Sequence, residues 1–344
     1  MSDSPIIPIH EAQPPFFCGV DVGGTNIKMG IVDDLGRCCA HQKIPTEEEQ
    51  GPEHAMRRAA VALRGMIDNL GLAAADVPAV GLATPGTMDI AQGILLQPHN
   101  LPSWWNFPIR DCLSKACGKP VWFANDANAA AFGEFWVGSG SEFHSIALFT
   151  LGTGVGGGVI IGDLSIDGEN SAGSEVGHTI IDYHPEARLC GCGQRGHLEA
   201  YASGKAVVQR ALEALANQPT SSLQRRLEAD GELTPLSVAE EAERGDALAL
   251  QLVMDTAMYL GVGAVNVMHI IDPGAVIFGG AMDFGGPDSP LGRRFLERIR
   301  QEIAARAFPV LAKKTQVKFA SLGNDAGFIG VAGVARVGYR RPPA

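Results

Sequence analysis

The chain has 344 residues, 46% hydrophobic and 19% charged, an ordinary globular balance with material for two domains or one large one. A net charge of −11 argues against nucleic acid or an anionic membrane as the main partner, because both reward a basic face. Seven cysteines are too sparse and too odd in number for a disulfide scaffold, so reduced thiols and a cytoplasmic setting are expected.

No apolar run is expected to reach the roughly 18 to 20 residues of a membrane helix. The opening MSDSPIIPIHEAQPPFF lacks a basic n-region and is rich in proline, so it reads as a flexible tail over 1–15, not as a secretory signal. FFCGVDVGGTNIKMGIVDD then reads as strand, glycine turn, strand, with GRCCAHQKI as a third strand. Met56, Ala60, Leu63, Ile67 and Leu70 recur at helical spacing. PAVGLAT is a short buried strand, followed by a helix near Pro108 to Cys117, the strand PVWFAN and a helix from Asp126 to about Val137. HSIALFTLGTGVGGGVIIG repeats the strand–glycine–strand design, an echo that suggests two halves built on one plan.

The second half turns helical, through SGKAVVQRALEALAN, SVAEEAERG and DALALQLVMDTAMYLGVGAVNVMHII, the last ending at Asp272-Pro273. AVIFGGAM is a strand running into a glycine pair. A helix from Pro290 to Ala307, the strand QVKFASL and a helix from Asp325 complete the chain. Strands and helices alternate, so the class is α/β. With no long flexible linker, two lobes are expected to meet across a cleft. The boundaries are placed at 16–124 plus 326–344 for a small lobe and 125–325 for a large one.

Two turns are candidates for holding phosphate, DVGGTNIK (Asp21 to Lys28) and LGTGVGGG (Leu151 to Gly158). Consecutive glycines let backbone N–H groups converge into an anion-binding nest. Asp21 suits Mg²⁺ through water, and Thr25 and Thr153 add hydroxyl donors. The second turn also fits G-x-G-x-x-G, but the β-branched GVIIG that follows indicates a hairpin where a dinucleotide fingerprint needs a helix. The chain contains no G-x-x-x-x-G-K-[ST] sequence.

In FANDANAAAFGEF, Asp126 stands where a strand becomes a helix. It is either a helix cap or a general base that takes a hydroxyl proton as the oxygen attacks phosphorus, with Asn125 orienting that hydroxyl. In LCGCGQRGHLE, Cys190, Cys192 and His197 lie within eight residues and suit three ligands of one zinc, with His178 or His184 as the fourth. Glu175 and Glu199 flank this segment, 178–197. Fixed acidic acceptors facing several hydroxyls suit a sugar, and a zinc-bound histidine can offer its second nitrogen to a ligand.

Taken together, DVGGTNIK, GLATPG, LGTGVGGG, AGSEVGH and CGCGQRGHLE resemble, in order and spacing, the ROK family of sugar kinases and repressors. The resemblance runs from about Phe17 to Val337. It implies a two-lobed, actin-like ATPase (ribonuclease H-like) fold, Asp126 as catalytic base, and a sugar site of Asn100, Asn125, Glu175, His178 and Glu199 lined by Gly86. It implies Gly23, Gly24, Thr25, Thr153, Gly154, Gly204 and Gly280 for the nucleotide, beside Asp21 and Lys28. It selects His178 for a structural zinc with Cys190 and Cys192. Where the family usually has a third cysteine this chain has His197, and Asn324 before Asp325 replaces one of two acids often found there.

The activity so implied is Mg-ATP-dependent phosphorylation of a hexose at O6, most simply glucose, by a homodimer. Fructose, N-acetylmannosamine and allose are alternative substrates. A sugar-sensing repressor is the other class. It fits poorly, because the residues before Asp21 do not read as a helix-turn-helix and the charge is wrong for DNA. No nucleic-acid or membrane partner is expected.

Overall fold

A computed structural model describes residues 4–98, 100–217 and 220–341. In chain order the strands and helices begin with β1 (Phe17–Val22), β2 (Asn26–Val32), β3 (Cys38–Pro45), α1 (Pro52–Asn69), β4 (Ala79–Thr84), β5 (Thr87–Asp89) and β6 (Ile94–Gln97). They continue with α2 (Ile109–Cys117), β7 (Val121–Asn125), α3 (Asp126–Trp136), β8 (Ser145–Leu151), β9 (Val155–Ile161) and β10 (Leu164–Ser165). Then come α4 (Glu199–Ala202), α5 (Gly204–Leu215), α6 (Ser222–Asp230), α7 (Pro235–Glu243) and α8 (Ala247–Ile271). The chain closes with β11 (Ala275–Gly279), α9 (Pro290–Arg306), α10 (Pro309–Lys314), β12 (Gln316–Phe319) and α11 (Ala326–Arg340).

The strand–glycine–strand echo in the sequence is real in the topology. One five-stranded sheet has the order β3-β2-β1-β4-β7 and another the order β10-β9-β8-β11-β12. In the first, β1 pairs antiparallel with β2 and parallel with β4, and β4 pairs parallel with β7. In the second, β11 pairs parallel with both β8 and β12. Parallel strands covered by helices read as continuous apolar runs, and β4 and β11 are buried at every position.

The chain divides into two compact units. Among the described residues the first takes in those up to His144, Gly158–Ser174 and those from Ser321 onward; the second takes in Ser145–Gly157 and Glu175–Ala320. The division therefore falls at 144/145 and 320/321, where 124/125 and 325/326 were expected. The reason is α3, which packs on α11. A Cβ at Gly330 would stand 1.7 Å from the carbonyl oxygen of Ala129, so only hydrogen lets these two backbones meet. Asp126 consequently belongs to the first unit.

The expected flexible tail is anchored over its described part, residues 4–15. Ser4 N donates to Asp325 Oδ2 (2.6 Å), Ile7 N to the Cys38 carbonyl (2.8 Å) and Gln13 N to Asp33 Oδ2 (3.0 Å). Residues 1–3 of that tail lie outside the described residues.

One further expectation changes. By length and apolar composition α8 is long enough to cross a membrane, but 61% of its most apolar window is buried within the protein. Leu252, Val253, Leu260, Ala264 and Met268 are all buried, and the helix lies against α9 and α7. It is a core helix, capped by Asp246, whose carboxylate accepts from Ala249 N, and ended by Asp272 in a left-handed conformation ahead of Pro273.

Candidate active site

In the first unit the glycine turn between β1 and β2 is held by its own backbone and by Thr46. Gly23 N donates to the Asn26 carbonyl (2.9 Å), Thr46 N to the Thr25 carbonyl (2.9 Å) and Thr46 Oγ1 to the Gly23 carbonyl (2.7 Å). Gly24 and Thr25 stay exposed at the tip. Asp21 and Lys28 are register partners across the hairpin. Burial pushes the Asp21 carboxyl up to about 6 against the opposing pull of Lys28, a raised value that a bound dication would reverse. Lys28 Nζ donates to the Asn324 carbonyl (3.1 Å), so the residue that departs from the family pattern acts here through its backbone. Gly24 lies against Asn100, within 3.3 Å of its Cβ for an added methyl, and Gly86 lies against Pro98.

The end of β7 positions the proposed base. Asn125 keeps an extended backbone and caps α3, its Oδ1 accepting from Ala127 N (2.9 Å) and Asn128 N (3.4 Å). The cap reading of Asp126 is therefore not needed. Asp126 is the first helical residue, with Oδ1 2.8 Å from Ala127 N. The Asn125 oxygen is committed to the cap, which leaves its amide nitrogen for orienting a hydroxyl.

In the second unit the turn between β8 and β9 meets the start of α5. Gly204 N donates to the Gly152 carbonyl (2.9 Å), and Ser203 caps α5 by accepting from Ala206 N. A helix N-terminus at a glycine turn adds a favourable dipole for an anion. Gly280 closes the wall, with φ of 103° and a would-be Cβ 2.4 Å from the Leu151 carbonyl oxygen, so no other residue fits without a shift. Beside Thr153 and Gly204 opens a cavity of about 760 Å³, lined on its apolar side by Val208, Leu212, Leu233, Leu236 and Met282. Leu212 and Leu236 are 44% and 66% exposed. Apolar side chains left open beside a phosphate-type turn suit a flat base. Sequence reading missed this wall, whose signal was a second apolar stripe on α5, Val208 and Leu212, next to its buried one.

Four side chains converge in the same unit. The ligand atoms of His178, Cys190, Cys192 and His197 all lie within 4.8 Å of one another. His178 Nδ1 and His197 Nδ1 are 3.2 Å apart, and Cys192 Sγ is 3.3 Å from His197 Nδ1. Two imidazoles and two thiols at this spacing match a closed tetrahedral zinc site. Burial, and then His178, hold His197 below the ordinary histidine value, which favours its neutral ligating form. Burial pushes the Cys190 thiol up, and a dication at the centre would deprotonate it. His184 is exposed and stays out of the cluster, its Nδ1 accepting from Glu186 N.

Glu199 joins this cluster to the second glycine turn. Its Oε2 accepts from Val155 N (3.0 Å), and its Oε1 lies 3.5 Å from Cys190 Sγ. Burial raises the Glu175 carboxyl, with His178 opposing and Glu199 adding to the rise. Glu175 therefore lies within electrostatic reach of both His178 and Glu199, and carboxylates of this kind can accept from hydroxyl groups.

Two hairpins on one repeated sheet plan define an actin-like ATPase fold. The chain matches the ROK family over residues 17–337. It is 35% identical over 317 residues to a glucokinase of Halalkalibacterium halodurans, covering 92% of this chain and 93% of that one. Among solved structures it is similar to a ROK hexokinase from Thermus thermophilus, with TM-score 0.80, 32% identity and coverage of 94% and 99%. It is also similar to a ROK family glucokinase from Streptomyces griseus in complex with glucose and AMPPNP, with TM-score 0.74, 32% identity and the same coverage. The chain belongs to the ROK family. Within it, this protein is an ATP-dependent hexose kinase.

Proposed function

We propose that the sugar is glucose and that the protein transfers the γ-phosphoryl of ATP to its O6. The observation that carries the reading is the junction of β7 and α3, where the Asn125 side chain supplies the helix cap and Asp126 stands as the first helical residue at the strand's end. Asp126 takes the proton of the attacking hydroxyl as the new O–P bond forms and the bond to the β-phosphate oxygen breaks. In this reading Gly86, Asn100, Asn125, Glu175, His178 and Glu199 bind the sugar hydroxyls.

Gly23, Gly24, Thr25 and Lys28, with Thr153, Gly154, Gly204 and Gly280, hold the nucleotide. The 760 Å³ cavity receives its base. Asp21 would hold Mg²⁺, which supplies neutralisation of the charge on the phosphate oxygens. His178, Cys190, Cys192 and His197 would hold a structural zinc, whose work is to fix the loop that carries Glu199. All seven cysteines are free, which suits a reducing cytoplasm. The resemblance adds a homodimer, which sedimentation equilibrium would check.

The decisive test pairs Asp126→Asn with a panel of hexoses and hexosamines, read by ADP release. Glucose should give the highest kcat/KM, and the variant should bind glucose normally while losing about two to four orders of magnitude in kcat. Retained turnover would refute the base, and a better hexosamine or ketose would refute glucose.

A further inference from the structure

Glu134 is an acid outside the site described above and fully buried, with 0% exposure. It sits on α3, eight residues after Asp126. Its two oxygens accept five hydrogen bonds. Oε1 takes Ser321 N (2.8 Å) and Leu322 N (2.7 Å). Oε2 takes Ser139 N (2.8 Å), Ser139 Oγ (3.0 Å) and Ser321 Oγ (3.1 Å). Burying a carboxylate is costly, and among the described residues this one is held by backbone and hydroxyl donors.

Ser321 and Leu322 are the last residues before the turn that opens α11. Asn324 in that turn accepts from Lys28 Nζ. A Cβ at Gly327, on the first turn of α11, would stand 2.3 Å from Asp21 Oδ2. At Gly133, beside Glu134, an added Cβ would meet the Ala326 carbonyl oxygen at 2.6 Å. The helix that begins with Asp126 and the segment that abuts Asp21 and Lys28 are thus packed backbone to backbone, and Glu134 is the polar tie between them. All of these residues belong to the first unit.

We propose that Glu134 is a positioning residue for phosphoryl transfer: it sets the register of α3 against residues 321–327, and so the placement of Asp126 relative to Asp21 and the first phosphate turn. The inference rests on the reading of Asp126 as the base. Near-attack geometry is steep, so a shift of about 1 Å costs on the order of a hundredfold in rate while leaving sugar binding intact.

The test is Glu134→Gln, which keeps the shape but turns one acceptor oxygen into a donor facing N–H groups. At a temperature where circular dichroism shows the variant folded, kcat should fall about ten- to a hundredfold with the sugar KM within about twofold of the parent. Ser139→Ala, which leaves the bonds to Ser321 and Leu322 in place, should keep kcat within about twofold. Parent-like kcat in folded Glu134→Gln with only a lowered Tm would overturn the proposal, as would a matching rise in sugar KM or an equal loss in Ser139→Ala. If Glu134→Gln does not fold, Glu134→Asp, which keeps the charge on a shorter stem, is read by the same criteria. Asp126→Asn assayed in parallel separates the two readings. If it stays active the base assignment has failed; if it is inactive while Glu134→Gln is parent-like, only the positioning role has failed.

Discussion

In the first glycine hairpin an acid and a base face each other across the strands, Asp21 opposite Lys28. The second hairpin, residues 145–161, contains no charged side chain. The backbone device is the same, two strands joined by a glycine turn, yet what surrounds it differs. The first turn is braced by Thr46 and backed by a carboxyl that burial raises to about 6. The second borrows its chemistry from distant segments, from the start of α5 at Gly204, from Glu199 through Val155 N, and from the apolar wall around Leu236. The two hairpins thus share a way of presenting backbone N–H groups, while the charged pair belongs to the first and the open apolar wall to the second. On this view the first hairpin handles the metal and the phosphate charge, and the second handles the nucleoside.

The largest blow to that division should come from Asp21→Asn. Loss of the acid proposed to hold Mg²⁺ is expected to lower kcat by about two to three orders of magnitude with little change in sugar affinity. An equal loss from a change confined to the second hairpin's wall would collapse the distinction.

Next in size is the His178, Cys190, Cys192 and His197 cluster, proposed to hold zinc. Purified protein should contain about one zinc per chain, and His197→Ala should lose it together with several degrees of Tm. Elemental analysis reads the first result and calorimetry the second. Unchanged metal content in the variant would remove His197 from the site.

A smaller, selective effect is expected at Leu236→Ser, with the KM for ATP rising about three- to tenfold and the sugar KM unmoved. A rise in sugar KM instead would place the cavity on the wrong substrate.

The smallest effect is a pH slope that only the first hairpin can produce. Asp21 is raised in the folded chain from an ordinary 3.8 to about 6. The folded chain therefore keeps a proton that the unfolded chain has lost within that window. The stabilisation this group gives the metal-free protein is present in acid and lost as pH rises through about 6. The Tm difference between the parent and Asp21→Asn should fall across this range, and a flat difference would contradict the raised value.

Much of this was legible because local signals agreed with one another. Apolar spacing located α1, whose observed span is Pro52–Asn69, and glycine punctuation located both hairpins. The short hairpin of β5 and β6, the two-residue β10 and the six-residue α10 carried too few residues for a period to show, and α6 buries Leu223 but no apolar stripe. Whether Asp126 caps α3 or serves as a base was ambiguous for a different reason. Adjacent residues of the same capping class look alike in sequence, and only the backbone conformation at Asn125 says which one caps.

By itself the sequence determined the class of fold, the order of the motifs and the residue types able to do the chemistry, since each depends on composition and spacing along a few residues. Tertiary structure alone decided where the units divide, that the opening segment is anchored, and that α8 lies in a core. Each of these turns on contacts between residues tens to hundreds of positions apart, such as Ser4 with Asp325 or Gly330 with Ala129. Whether such residues meet is settled by how helices and sheets pack, and a local pattern carries no trace of it.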